Sequence, residues 1–145
     1  MGGTIQALSQ GVSDNAVSAF QLEVADFGTV AAEIATGQSR GANTFSVQAR
    51  GLHTDGFRRK APGSAGPIDR STDLDQAYLQ LGWTHRTDQG TTSSLTLRGF
   101  SENRGNGTPL QANRTRELMM AARADGTRDL FGHEARWAAQ AYLQT

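Results

Sequence analysis

The stretch Gln76-Ala77-Tyr78-Leu79-Gln80-Leu81-Gly82-Trp83-Thr84 decides the fold, because its apolar and polar side chains alternate without a break. In an extended chain the apolar members lie on one face and the polar members on the other. Such a period of two predicts a β-strand with one apolar and one polar face. We expect Leu79 and Leu81 to point one way and Gln80 the other.

Six further stretches repeat this alternation. They run over 20–25, 30–35, 45–50, 95–98, 117–123 and 135–143. Two regions, 115–124 and 134–144, are rich in residues that favour helix by propensity. A helical period would separate Ala139 and Leu143 from Trp137, whereas a period of two keeps the three on one face. The sequence therefore predicts an all-β fold of about seven antiparallel strands.

The connections between these strands differ in length in a regular order. Short links are expected at 26–29, 37–42, 87–92 and 125–132, and long polar links at 54–72 and 103–115. Successive links of an up-and-down sheet lie alternately at one end of the strands and at the other. Both long links therefore lie at the same end of the strands. Outer-membrane barrels show this asymmetry, with short periplasmic turns and longer outer loops. The pattern favours a segment of an antiparallel transmembrane β-barrel, incomplete at seven strands.

The composition excludes several classes of protein. Lys+Arg and Asp+Glu number 14 each, so there is no basic excess for binding nucleic acid. The chain has no cysteine, which removes disulfides and thiolate metal sites. His53, His85 and His133 stand singly, without metal-ligand spacing, and no Ser-His-Asp set is identifiable. We expect no enzymatic activity, no metal and no cofactor.

Several motifs resemble those of TonB-dependent outer-membrane receptors. Met1-Gly2-Gly3-Thr4-Ile5-Gln6 resembles the Gly-Gly-Val-Ile-like segment that closes the plug of that family. Asp26-Phe27-Gly28-Thr29 is similar to its first outer turn, which is often Ser-Phe/Tyr-Gly-Thr. Thr54-Asp55-Gly56-Phe57, followed by Gly66-Pro67-Ile68-Asp69-Arg70, resembles the second outer loop, and residues 104–113 resemble the third. Their order and spacing extend over nearly the whole chain.

The resemblance implies a division into domains and a function. Residues 1–14 would be the tail of the plug domain and its linker, and residues 15–145 the N-terminal part of the β-barrel. Both ends of the sequence look cut, so we expect a fragment of a longer receptor. The family implies energy-coupled uptake of a siderophore-iron complex or a similar nutrient through the outer membrane of a Gram-negative bacterium. TonB would act through a missing N-terminal region.

Candidate ligand-binding residues lie in the two long links, where basic side chains cluster. They are Arg58, Arg59, Lys60, Arg104 and Asn106. Cationic groups there can donate charge-assisted hydrogen bonds to an anionic iron chelate. Loops on a rigid scaffold are where binding commonly resides. The other expected partner is outer-membrane lipid, in contact with the apolar strand faces.

Two other functions fit the same pattern. In a secreted soluble β-sandwich that acts as a binding module, the apolar faces would form a core and the polar faces would meet water. An outer-membrane barrel enzyme, such as a phospholipase, fits less well because no nucleophile–histidine pair is identifiable. In a barrel, Trp83 and Trp137 would lie near the inner membrane interface. The residues expected to face the lumen are Glu23, Glu33, Gln48, Arg50, Gln80, Arg98, Arg123, Arg136 and Gln140.

Overall fold

The computed structural model describes residues 17–60 and 63–145, which form one antiparallel sheet whose strands pair in chain order. The strands are β1 (Val17–Ala25), β2 (Thr29–Arg40), β3 (Asn43–Thr54), β4 (Leu74–Arg86), β5 (Thr92–Gly105), β6 (Ala112–Leu130) and β7 (His133–Gln144). The prediction of an all-β fold with seven antiparallel strands is confirmed. The expected plug tail at 1–14 lies outside the described residues. Within them there is no helix that is long and apolar enough to span a membrane.

The first inner hairpin is tighter than the sequence indicates. β2 continues to Arg40, so the predicted link 37–42 was too long and only Gly41-Ala42 remains. The polar residues before this turn look like loop residues, yet their backbone pairs with β3 up to the hairpin tip. The hydroxyls of Ser39 and Thr44 form a 2.8 Å hydrogen bond across it. Pairing with the neighbouring strand therefore outweighs local polarity.

The same correction applies to the link predicted at 125–132. β6 continues to Leu130, and the link is Phe131-Gly132, with φ angles of 58° and 80°. Positive φ at both central residues is what a type I′ hairpin turn needs. Gly126 lies within β6, where it pairs with Trp137, and a Cβ on it would lie 3.0 Å from Oγ1 of Thr91 and 3.3 Å from Nε1 of Trp137. The glycine leaves room for the indole ring.

The longer connections share one edge of the sheet, as the sequence predicts. Links 26–28, 55–73 and 106–111 lie at one edge, and links 41–42, 87–91 and 131–132 at the other. We call the strand ends at the first three links the outer edge, and the strand ends at the other three links the inner edge. The link expected at 103–115 is shorter than predicted, because β5 and β6 pair as far as Gly105 and Ala112. Link 55–73 nearly keeps its expected extent.

The described residues form a single layer without a core. Ala31, at 7% exposure, is the one buried apolar residue among them. Phe20, Leu22 and Val24 remain 60–73% exposed. Burying a large apolar side chain is worth about 1.5–3 kcal/mol relative to leaving it in water. An apolar medium or another layer must therefore cover one side of this sheet.

Candidate functional site

The strand register gathers the large apolar side chains on one face, which we call the apolar face. A row across the sheet joins Val47, Leu81, Leu97 and Met120. Ile34, Ala49 and Leu79 share the next row toward the outer edge. Gln80 lies between Leu79 and Leu81 and therefore projects from the opposite face. The predicted alternation of faces is confirmed.

The apolar side chains of this face form what we call the apolar band, which runs obliquely across these rows. It includes Val30, Ile34, Val47, Leu79, Leu81, Leu97, Met120 and Ala139. Val30 of β2 belongs to the band, yet its row contains only polar partners on β3 to β6: His53, Asp75, Asn103 and Arg114. At the other end Ala139 of β7 belongs to the band, and its row contains Asn43, His85 and Ser93. The band therefore shifts toward the inner edge from β2 to β7. An apolar slab that cuts tilted strands at one height produces such a shift.

Polar and aromatic groups line the inner margin of the band. Nε1 of Trp83 donates to Oδ1 of Asn43 at 3.0 Å, and Nδ1 of His85 lies 3.1 Å from the same oxygen. The Trp83 and His85 rings stack at 6.1 Å. On β1 and β2, Ser18 and Thr36 share a 2.8 Å hydroxyl hydrogen bond in the row that holds Leu81 on β4. Indole rings with one polar atom suit a border between apolar and aqueous phases.

The opposite face carries hydrogen-bonded polar side chains, and we call it the polar face. Oε1 of Gln80 accepts from the Tyr78 hydroxyl at 2.8 Å and from two nitrogens of Arg98 at 3.1 and 3.3 Å. The Arg98 guanidinium lies 6.0 Å from the centre of the Tyr78 ring. Nearby, Gln48 donates to Glu33 at 3.1 Å. All nine residues expected to face the lumen lie on this face.

The three outer links contact one another and form what we call the outer cap. The N–H of Asp55 donates to the carbonyl of Phe27 at 2.9 Å, and the N–H of Arg70 donates to the carbonyl of Gly107 at 2.8 Å. The rings of Phe27 and Phe57 lie 5.9 Å apart. Link 55–73 is therefore tied to the links on both sides of it.

Link 55–73 also folds back on itself. The N–H of Thr72 donates to the carbonyl of Phe57 at 3.1 Å, and Arg58 pairs with Ser71 in a single antiparallel bridge. Gly56 has a φ of 64°, and its Cα lies against the Thr72 carbonyl so closely that a Cβ would collide with it. Only glycine combines this φ with this approach at low cost. The cap is thus held by backbone contacts.

Three predicted ligand-binding residues lie in one arm of this link. Arg58 stands in the bridge to Ser71, and Cδ of Arg59 lies 3.9 Å from the place of a Cβ on Gly107. Nζ of Lys60 contacts Oδ2 of Asp69 at 3.2 Å. The Gly66 N–H, and after it Lys60, hold the pKa of Asp69 below its usual value. The charge of Lys60 is therefore shared with a carboxylate.

The other two predicted residues, Arg104 and Asn106, lie at the end of β5. Arg104 donates to Oε2 of Glu102 at 3.2 Å, and the N–H of Asn106 donates to the carbonyl of Gln111 at 3.0 Å. Arg104 also lines an open groove of about 550 Å³ together with Arg70 and Arg114. Asp73, the polar side chains of Ser71, Asn103, Thr108 and Asn113, and Gly105, Pro109 and Ala112 complete the lining.

This groove contains one of the five predicted ligand-binding residues. Arg70 and Arg114 were not among the predicted ligand-binding residues, and they lie far apart along the chain. Two backbone hydrogen bonds bring link 55–73 beside link 106–111. The N–H of Arg70 donates to the carbonyl of Gly107, and the N–H of Gly105 donates to the carbonyl of Asp73 at 2.9 Å.

The lining contains three arginines and one carboxylate, Asp73. Arg104 and Arg114 project from opposite faces of the sheet, because Arg104 pairs with Asn113 and Arg114 with Asn103. Arginine side chains can donate charge-assisted hydrogen bonds to an anionic ligand.

Comparison with known proteins adds no constraint on this site. No protein-family model, no curated protein and no solved structure matches the chain. In the part of the chain that the structure describes, no group of three or more His, Asp or Glu residues is placed to hold a metal ion. The groove in the outer cap and the two unlike faces are therefore the features from which function is inferred.

Proposed function

We propose that the chain forms part of the β-barrel of a TonB-dependent outer-membrane receptor that takes up a siderophore-iron complex or a similar nutrient. The observation that carries this proposal is the oblique apolar band with its polar margins. The strands have 9 to 19 residues, and a tilted strand needs about 9–11 to cross a bilayer. A membrane covers the apolar band, and the polar face lines the lumen.

The oblique band also favours this proposal over a soluble sandwich. In a sandwich a second sheet covers the inward side chains of each strand, and the described residues form one layer. A covering sheet has no reason to leave Arg114 polar and Val30 apolar within one row. A membrane does, because tilt brings row partners to different depths.

The assignment to TonB-dependent receptors is supported by the motifs of the outer edge. The turn Asp26-Phe27-Gly28-Thr29 connects β1 and β2 at this edge. The motifs that resemble the second and third outer loops lie in links 55–73 and 106–111 and in the adjoining strand ends. The proposed mechanism is binding and gated passage, with no chemistry on the ligand. The groove of the outer cap, with Arg70 and Arg104 in its lining, captures an anionic chelate, and TonB supplies the energy through a plug.

A nitroxide scan tests the membrane location. This chain has no cysteine, so single cysteines at positions 76–84 of the full-length protein can each carry a spin label in bilayers. We expect collision with oxygen, which concentrates in lipid, to peak at 77, 79, 81 and 83. A flat profile, or maxima at the even positions, would refute the facing of β4.

A matched pair of labels tests the oblique band. Positions 43 and 139 lie in one register row. We expect a label at 139 to lie deep in the lipid, and a label at 43 to lie at the interface and meet a water-soluble nickel chelate. Equal depths would remove the observation on which the membrane proposal rests.

Uptake and binding test the receptor proposal. We expect cells with the full-length protein to take up a ferric citrate, hydroxamate or catecholate complex only when TonB is present. Binding should weaken about tenfold in Arg70→Gln/Arg104→Gln, since each lost charge-assisted hydrogen bond is worth more than a neutral one. The comparison is Arg58→Gln/Arg59→Gln. A larger loss in that variant would move the site to the arm predicted from the sequence, and uptake without TonB would refute the proposed family.

A further inference from the structure

Asn106 and Gly107 open link 106–111 and form a pair that can react with itself. Of the five asparagines in the sequence, Asn106 alone precedes a glycine. The backbone nitrogen after an asparagine can attack the carbon of its side-chain amide, and a side chain on the following residue hinders that approach. Glycine has no Cβ, and its backbone adopts conformations closed to other residues. Asn106 is therefore the least hindered asparagine of the chain.

The hydrogen bonds of this pair leave the reacting groups free. The N–H of Asn106 donates to the carbonyl of Gln111 at 3.0 Å, and the carbonyl of Gly107 accepts from the N–H of Arg70 at 2.8 Å. Within the described residues, the N–H of Gly107 has no acceptor and the side-chain amide of Asn106 forms no hydrogen bond. Attack of the Gly107 nitrogen on the amide carbon thus breaks no existing hydrogen bond.

The surroundings of Gly107 are supplied by the neighbouring link. Gly107 is buried, and a Cβ on it would lie 3.8 Å from the carbonyl oxygen of Arg70 and 3.9 Å from Cδ of Arg59. Both arginines belong to link 55–73, so this side of the pair is complete within the outer cap. Asn106 is half-buried, and water can reach its side chain.

Two other sites show what restrains the same reaction. In the pair Asp55-Gly56, the N–H of Gly56 donates to Oγ1 of Thr54 at 3.1 Å, so the attacking nitrogen is held. Asn43 precedes a β-branched residue, and its amide oxygen accepts from Nε1 of Trp83 at 3.0 Å. Both sites therefore serve as internal controls for Asn106.

We propose that Asn106 is a site of spontaneous deamidation that releases link 106–111 from link 55–73. The nitrogen of Gly107 bonds to Cγ of Asn106, the bond from Cγ to Nδ2 breaks, and the proton of the Gly107 N–H leaves with Nδ2 as ammonia. Water then adds to either carbonyl of the resulting succinimide ring and opens it. Opening at one carbonyl leaves aspartate, and opening at the other leaves isoaspartate, whose main chain runs through the former side chain.

The isoaspartate product changes the contact between the two links. It lengthens the main chain before Gly107 by one C–C bond, about 1.5 Å. A displacement of that size takes the 2.8 Å bond between the Arg70 N–H and the Gly107 carbonyl out of hydrogen-bonding range. Link 106–111 then loses a backbone tie to link 55–73. The inference does not depend on the proposed function, because neither a membrane nor a ligand takes part in the reaction.

Incubation of the full-length protein in heavy-oxygen water tests the covalent step. At mildly alkaline pH, each ring opening should leave a heavy oxygen atom in the peptide that contains Asn106. Peptide mass spectrometry should find the label there and not in the peptides that contain Asn43 or Asp55. Asn106→Gln keeps an amide and should lose the label, because its longer side chain would have to close a larger ring. No label at Asn106, or equal label at Asn106 and Asn43, would overturn the inference.

Amide hydrogen exchange tests the release of the link. The N–H of Arg70 should exchange faster in the isoaspartate form than in fresh protein, because it loses its acceptor. The N–H of Asp55, which donates to the carbonyl of Phe27, should exchange at an unchanged rate. Freshly prepared Asn106→Asp has the new carboxylate without the longer main chain and should leave the Arg70 rate as in the wild type. An unchanged Arg70 rate in the isoaspartate form would refute the release, and equally fast exchange in Asn106→Asp would refute its proposed cause.

Discussion

The two faces of this sheet are stabilised in opposite ways. On the polar face, side chains such as Gln80 and Glu102 each accept bonds from more than one neighbouring residue. On the apolar face, hydrogen bonds between described side chains occur only at the margins of the band, as between Trp83 and Asn43. The polar face is held by contacts within the sheet, whereas the apolar face depends on what covers it. Substitutions on the two faces should therefore respond to different surroundings.

The largest expected effect is a charge placed in the band. Leu81→Arg should lower the free energy of unfolding of the full-length protein in bilayers by about 2–4 kcal/mol if it lies near the midplane. The matched change is Gln48→Arg on the polar face, where the new guanidinium lies beside Glu33, the present partner of Gln48. That variant should stay near wild type in urea unfolding. Equal costs for the two changes would mean that the faces do not meet different media.

A middle-sized effect is expected when the polar face loses a shared acceptor. Gln80→Leu leaves the Tyr78 hydroxyl and the Arg98 guanidinium without their common partner. The loss should be about 1–3 kcal/mol in the same unfolding measurement, the usual cost of unsatisfied polar groups. Tyr78→Phe removes one donor and leaves no group unpaired, so it should cost less. A neutral Gln80→Leu would indicate that water already replaces these bonds.

The sequence predicts the strands well because alternation is a local property. Each of the seven alternating stretches lies within an observed strand. The strand ends were predicted less well, since residues 37–40 and 125–130 look like loops until their pairing partners are known. The residues that line the groove of the outer cap could also be predicted only in part. Arg104 could be proposed from its local cluster, but Arg70 and Arg114 meet only through contacts between links distant in sequence.

The smallest effect is expected at the inner margin of the band, and it tests where the apolar face ends. Trp83→Phe keeps an aromatic ring, although a smaller one, and removes the N–H that donates to Asn43 at 3.0 Å. Asn43 Oδ1 keeps His85 as a neighbour at 3.1 Å, so the loss should be about 1 kcal/mol, as for a typical hydrogen bond. Trp137→Phe is the control, because within the described residues the indole N–H of Trp137 has no acceptor.

The relative stability costs of these two tryptophan substitutions distinguish two roles for the residues at the inner margin. If the bond between Trp83 and Asn43 fixes the ring at the interface, Trp83→Phe costs more than Trp137→Phe, and Asn43→Ala removes the difference between them. If both rings only fill the border between lipid and water, the two substitutions cost the same, because phenylalanine retains most of the apolar area. Urea unfolding of the full-length protein in bilayers, with each single and the double variant, measures this coupling directly. A coupling free energy near zero between Trp83 and Asn43 would mean that burial of the rings alone determines where the apolar face ends.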